Sequence, residues 1–203
     1  MTKYKIIDNF LSDSEFTELT GKILPEEVPA GNIGNIPSFS WHYTRYRMLV
    51  GAEAEEAKSA EDSFKKVTNI EISNPINDWY FSHVLYYKSY QSPELRYCGP
   101  LLDKINPVAL FKVRANFTVQ QEKRKRPLFH VDYVGKTPMI TSIFYMNTTN
   151  GPTILEDGTE IECRANRLVS FPHETHHSGA VCTDQPYRIV INFNYFKEIE
   201  NLE

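Results

Sequence analysis

Cysteine is scarce: the 203 residues hold only Cys98, Cys163 and Cys182, and no two of them stand in CxxC spacing. An odd count without that spacing excludes a disulfide framework and a thiolate zinc site, and it points to a reducing compartment. No window approaches the ~20 apolar residues of a membrane span, and the stretch from Met1 to Asp8 has no apolar signal core. A soluble cytoplasmic protein is the expectation. A formal charge of −4 gives no general pull toward nucleic acid or an anionic membrane. Internal repeats and low-complexity tracts are absent as well. Residues 51–62 carry almost no large apolar side chain, so a solvated loop or marginal helix without chemistry is predicted there.

What the chain does have is aromatic residues, 13% of the total, and a 41% hydrophobic fraction that excludes disorder and suits one core. Ser12-Asp13-Ser14-Glu15 has the form of a capping box, with Leu11 and Phe16 placed as a hydrophobic staple. Phe16, Leu19, Thr20 and Ile23 follow at helical spacing, so a helix is predicted from Asp13 to about Leu24, ended by Pro25. Residues 25–37 read as a loop. Trp41, Tyr43 and Arg45 belong to an aromatic stretch that is either a strand at the core margin or the wall of a substrate groove. His83, among aromatics on a strand from Trp79 to Tyr87, reads as a hydrogen-bonded core or margin residue rather than a ligand. From Ala109 the chain becomes a series of short strands separated by Gly, Asp and Pro signals: 109–119, 139–147, 153–155, 167–171, 176–182 and 187–196. Such a series argues for a sandwich or jelly roll with flanking helices. One domain over 1–203 is expected, with residues 1–108 as an N-terminal elaboration and 109–196 as the jelly-roll core.

The stretch Phe129-His130-Val131-Asp132-Tyr133 carries the chemistry. If it is a strand, His130 and Asp132 share one face and converge on one point. A second histidine brought there from a neighbouring strand would complete two nitrogens and one oxygen on one side of a metal, leaving the opposite positions open. The doublet His176-His177 offers only one inward ring, and His177 is preferred because His177-Ser178-Gly179 begins the bend toward Arg188. His173 and His176 then fall to the outer shell or the surface. Arg188 shares its strand parity with Val190, Asn192 and Asn194. An inward guanidinium needs an anion, and a small dicarboxylate fits its planar fork. The Tyr145 phenol can add a hydrogen bond to the same carboxylate.

These pieces resemble a known family. His130-Val131-Asp132, Ile143 to Asn147 followed by Gly151-Pro152-Thr153, Asn166 to Phe171, His177-Ser178-Gly179 and Arg188 with the strand after it are similar to the 2-oxoglutarate and Fe(II)-dependent oxygenases. The closest likeness is to their prolyl 4-hydroxylase-like branch, including small phage and bacterial forms. The resemblance implies a double-stranded β-helix, a cupin-like jelly roll with helices on its major sheet. It also implies that His130, Asp132 and His177 bind Fe(II), that Arg188 and Tyr145 hold the distal carboxylate of 2-oxoglutarate, and that Asn116 plays a lesser part near cosubstrate or substrate. With O2, the implied reaction hydroxylates a peptidyl, possibly prolyl, side chain and releases succinate and CO2. The same chemistry on a free amino acid, a small metabolite or a nucleobase is one alternative, and a metal-free jelly-roll binding module is another. A phage origin with expression in a host cytoplasm is compatible with this likeness. Residues 121–127 resemble a loop that closes over substrate, and their four cations would favour an acidic or phosphate-bearing substrate.

Overall fold

Alternation along one strand organises the molecule. β6 (Ala109–Val119) turns Val113 and Ala115 to an apolar layer and Lys112, Arg114, Asn116 and Thr118 to the opposite face. In the computed structural model the described residues are 3–24, 39–45, 67–73, 79–135 and 137–197, with isolated positions 55, 58–59 and 61–63. The loop expected over 25–37, and residues 46–50, lie outside them.

The major sheet is antiparallel. Its order is β1 (Lys5–Ile7), β11 (Arg167–Pro172), β8 (Met139–Tyr145), β13 (Tyr187–Phe196), β6, β4 (Trp79–Tyr87) and β2 (His42–Arg45), with β5 (Tyr90–Gln91) paired to β4. A minor sheet of β10 (Glu160–Cys163), β9 (Thr149–Leu155) and β12 (His177–Gly179) faces it. Between the two sheets lie Ile143, Tyr145, Leu155, Ile161, Val169, Phe171 and Val190. The other face of the major sheet carries Phe144, Ile189, Ile191, Phe193 and Tyr195. It is covered by Leu11, Leu19 and Ile23 around α1 (Asp13–Ile23), and by Leu101 and Ile105 of α2 (Gly99–Ile105). This is a mainly β jelly roll with flanking helices, as the strand spacing predicts, in the double-stranded β-helix form that the resemblance implies.

α1 begins where the capping box places it. Ser12 Oγ accepts from the Glu15 amide, and the Glu15 carboxylate accepts from the Ser12 amide at 2.8 Å. His83 is buried, with Nε2 2.8 Å from Ser92 Oγ and Nδ1 2.6 Å from the Ser40 carbonyl. All three cysteines are buried and unpaired. No helix among the described residues is long and apolar enough to cross a membrane.

Two expectations need correction, and one open choice is decided. Residues 129–133 are not a strand: only His130 pairs, through a single antiparallel bridge to His177. Beyond it the chain leaves the minor sheet because the Asp132 carboxylate is anchored across the barrel, as described below. Of the two readings of the Trp41 to Arg45 stretch, the strand at the core margin is the one seen, as β2. Trp41 packs on Phe39 and Phe117, and Tyr43 lies in register with Phe81, Phe117 and Ile189 on the helix-side face. The basic run is not four free cations on a loose flap. Lys125 and Arg126 form β7, parallel to β3 (Glu71–Ile72), and the Val181 amide donates to the Lys125 carbonyl. Arg126 is 2% exposed, stacks 4.5 Å from the Phe129 ring centroid, and pairs with Glu61 at 2.7 and 2.9 Å. Glu61, in the stretch expected to be a solvated loop or marginal helix without chemistry, is helical and a buried partner.

Candidate metal and cosubstrate centre

The bridge between His130 and His177 does what an isolated HxD motif cannot. Each amide donates to the other's carbonyl, at 3.1 and 3.0 Å, and the ring centroids stand 4.9 Å apart. Asp132 joins them: one ligand atom from each of His130, Asp132 and His177 lies within 4.8 Å of the others.

The donor chemistry suits a metal ion. His130 Nδ1 faces the Leu128 carbonyl at 3.2 Å and His177 Nδ1 faces the Thr175 carbonyl at 3.1 Å. A proton on each Nδ1 leaves the Nε2 lone pairs for a ligand. Burial, with His177 beside it, pulls the His130 pKa down to about 4, and burial lowers that of His177, so both rings are neutral near pH 7. For Asp132 burial pushes upward, yet Lys112, the two histidines and Arg114 together outweigh it and hold the carboxyl below its usual range. Asn194 Nδ2 donates to Asp132 Oδ2 at 3.0 Å, and Lys112 Nζ lies 3.5 Å from Oδ1. Two neutral imidazoles and one carboxylate, oriented by neighbours, form a set that fits a divalent transition metal.

Arg188 closes the other end of the inner face. It is 6% exposed; its Nε donates to the Gly151 carbonyl at 2.9 Å and its Nη2 to Thr153 Oγ1 at 3.1 Å. Among the described residues no carboxylate is paired with it, unlike Arg126. A buried guanidinium held only by neutral acceptors is a seat for an anion. Its surroundings are glycine by necessity. A Cβ on Gly151 would come within 2.6 Å of the Ala180 carbonyl oxygen and 3.1 Å of Arg188 Cδ. Tyr145 is fully buried beneath the guanidinium, which lies 5.7 Å from its ring, and its hydroxyl donates to Thr153 Oγ1 at 2.8 Å. Asn116 sits on the inner face opposite Val190, with a buried Oδ1 that has no hydrogen-bond partner among the described residues.

Of the remaining histidines, His173 is buried rather than superficial and meets the Gly135 carbonyl at 2.8 Å, while His176 Nδ1 lies 3.4 Å from Glu156. Sequence reasoning missed Thr153, Lys112 and Asn194 as site residues. Thr153 was within reach because it closes the Gly151-Pro152-Thr153 piece, and Asn194 because it shares the parity of Arg188. Nothing in the sequence marks Lys112 as a neighbour of Asp132.

No protein-family model and no curated protein sequence matches the chain. Solved structures do. A prolyl hydroxylase from Trichoplax adhaerens, in complex with a hypoxia-inducible factor oxygen degradation domain peptide fragment, is 16% identical. It aligns over 98% of this chain and 85% of its own with a TM-score of 0.57. SnoN, a non-heme α-ketoglutarate-dependent epimerase from nogalamycin biosynthesis, is 12% identical over 97% of this chain and 78% of its own, TM-score 0.53. Its complex with Fe3+ and α-ketoglutarate aligns over 97% and 79% with 11% identity and a TM-score of 0.51. The chain thus has the jelly-roll fold on which the 2-oxoglutarate and Fe(II) oxygenases, prolyl hydroxylases among them, are built.

Proposed function

We propose that this protein is an Fe(II)- and 2-oxoglutarate-dependent oxygenase that hydroxylates a peptidyl side chain, proline being the first candidate. The observation that carries the reading is the pairing of a His130–Asp132–His177 cluster with a buried arginine that has no carboxylate partner among the described residues, on one inner face of this fold. The peptide bound to the Trichoplax prolyl hydroxylase supports a peptidyl substrate.

His130 Nε2, His177 Nε2 and Asp132 would hold Fe(II), which when bound supplies the activation of O2 coupled to decarboxylation of 2-oxoglutarate. In the net reaction one oxygen atom becomes the hydroxyl on the substrate carbon and the other enters succinate, with release of CO2. Arg188 and Thr153 seat the distal carboxylate, and Tyr145 fixes Thr153 through its hydroxyl. Ile143, Leu155 and Val190 line the space between with apolar surface and exclude water. Lys112 and Asn194 keep Asp132 an anion in a fixed orientation.

Melting of the protein with Mn(II) and 2-oxoglutarate, together and separately, tests the cosubstrate assignment, since a native-state ligand raises the melting temperature. A rise with both is expected, lost in His130→Ala and Asp132→Ala; no rise in the unmutated protein refutes the reading. Succinate formation with Fe(II), and a search for +16 Da products among peptides, free amino acids and nucleotides, then identify the substrate. A metal-free binding module would give neither rise nor succinate.

A further inference from the structure

Besides Arg188 and Lys112, the inner face carries a third cation, Arg114. Adjacent rungs of β13 and β6 pair Arg188 with Thr118, Val190 with Asn116, Asn192 with Arg114, and Asn194 with Lys112. The ladder runs from the anion seat at Arg188 to the Asp132 anchor at Lys112 and Asn194. Arg114 is one rung from that anchor, on the strand beside β13 and next to β4. At ~3.4 Å per residue its rung stands roughly 14 Å along the strands from that of Arg188, so the two guanidinium groups serve different positions.

Arg114 is half-buried, and its Nε is buried without a hydrogen-bond partner. Among the described residues it has no ion pair, and its one contact of note is the Tyr80 ring, 5.9 Å from the guanidinium carbon. That distance is at the outer limit of a cation–π contact and leaves the planar edge of the fork open. Asn192, 7% exposed on the same rung, and Asn116 one rung away each have a buried Oδ1 without a hydrogen-bond partner among the described residues. Arg114 shares the face of β6 with Lys112, two residues away, whose Nζ lies 3.5 Å from Asp132 Oδ1. Buried groups of this kind cost free energy unless a ligand satisfies them.

We infer that the substrate carries a carboxylate close to the carbon that reacts, and that Arg114 binds it, with the amides of Asn192 and Asn116 taking up neighbouring N–H and carbonyl groups. The inference rests on the oxygenase reading and narrows it. A guanidinium receives a carboxylate through two parallel hydrogen bonds, which a carboxamide cannot replace. The carboxylate has two sources, an acidic residue next to the modified position in a peptide or the acid group of a free amino acid or other small acid.

The test is calorimetric binding to the protein loaded with Mn(II) and 2-oxoglutarate, without turnover. One arm uses N-acetylated, C-amidated proline peptides with Glu or Gln on either side. The other uses free L-amino acids and small carboxylic acids against their carboxamides. Carboxylates of one arm should bind, their amides at least 10-fold more weakly. Arg114→Gln should weaken the carboxylates by a similar factor while the thermal shift from Mn(II) with 2-oxoglutarate persists, and Arg114→Lys should recover part of the loss. Equal binding of acids and amides overturns the proposal. So does unchanged binding in Arg114→Gln, or no binding by any carboxylate to protein that Mn(II) and 2-oxoglutarate still stabilise. Absence of that stabilisation refutes the oxygenase reading instead.

Discussion

Two arginines show how little a side chain's identity says before its partners are known. Arg126 and Arg188 are both buried, but Arg126 is neutralised by Glu61 whereas Arg188, among the described residues, hydrogen-bonds only a carbonyl and a hydroxyl. Arg188→Ala should therefore weaken 2-oxoglutarate binding about 100-fold, the equivalent of roughly 3 kcal/mol, while Mn(II) binding to the variant stays near that of the parent. Isothermal titration of each ligand checks this, and a parallel loss of metal affinity would contradict the anion-seat role. The histidines make a second prediction, on pH. His130 has its pKa depressed by burial from 6.5 to about 4, so the unfolded chain takes up a proton first as pH falls. Its contribution is intact above 6.5 and is lost as the pH drops toward 4, by up to about 1.4 kcal/mol per unit. Denaturant melts of metal-free protein between pH 7 and 4 should show a falling midpoint. Metal affinity should fall over the same acid range, because protons compete for the same lone pairs.

Helix α1 illustrates how far local rules reach. Its first residue is Asp13 and its capping box is closed as the Ser12–Glu15 spacing requires, since both partners lie within one turn. Ser12→Ala should cost about 1 kcal/mol, read as a lower urea midpoint with the site unaffected. Strands β4, β6 and β13 likewise begin and end where alternation predicts, because each has one face on an apolar layer. The segment that carries His130 and Asp132 fails as a strand for a non-local reason. After the bridge at His130, Asn194 and Lys112 of the major sheet hold Asp132, and the Tyr133 ring packs 5.0 Å from Phe111. The ladder cannot continue while those anchors draw the backbone away.

Across the molecule, the outer side of the minor sheet is closed by parts distant in sequence: β3, β7, Phe129 and the Glu61–Arg126 pair. Glu61→Ala would leave a buried guanidinium uncompensated and should destabilise the fold by about 3–5 kcal/mol. Replacing both partners by methionine should cost far less, and comparing the two variants in guanidinium melts separates charge burial from packing. Since Arg126 is four residues from His130 and Phe129 adjoins it, the single variant should also loosen metal binding, whereas the double variant should largely preserve it.

Much of the fold and of the candidate site was legible in residue order. Periodicity of two, turn residues and a capping box are short-range properties, so strands, the first helix and the inward parity of Arg188 and Asn194 follow from neighbours a few positions apart. The grouping of His130, Asp132, His177 and Arg188 came from the spacing of separate motifs. Contact between distant charges has no such local signature. That Arg126 meets Glu61 while Arg188 and Arg114 meet no carboxylate among the described residues, that Lys112 faces Asp132, and that Trp41 and Tyr43 turn away from the centre all depend on which strands become neighbours. Charge burial and its neutralisation are settled only when the two sheets close on each other.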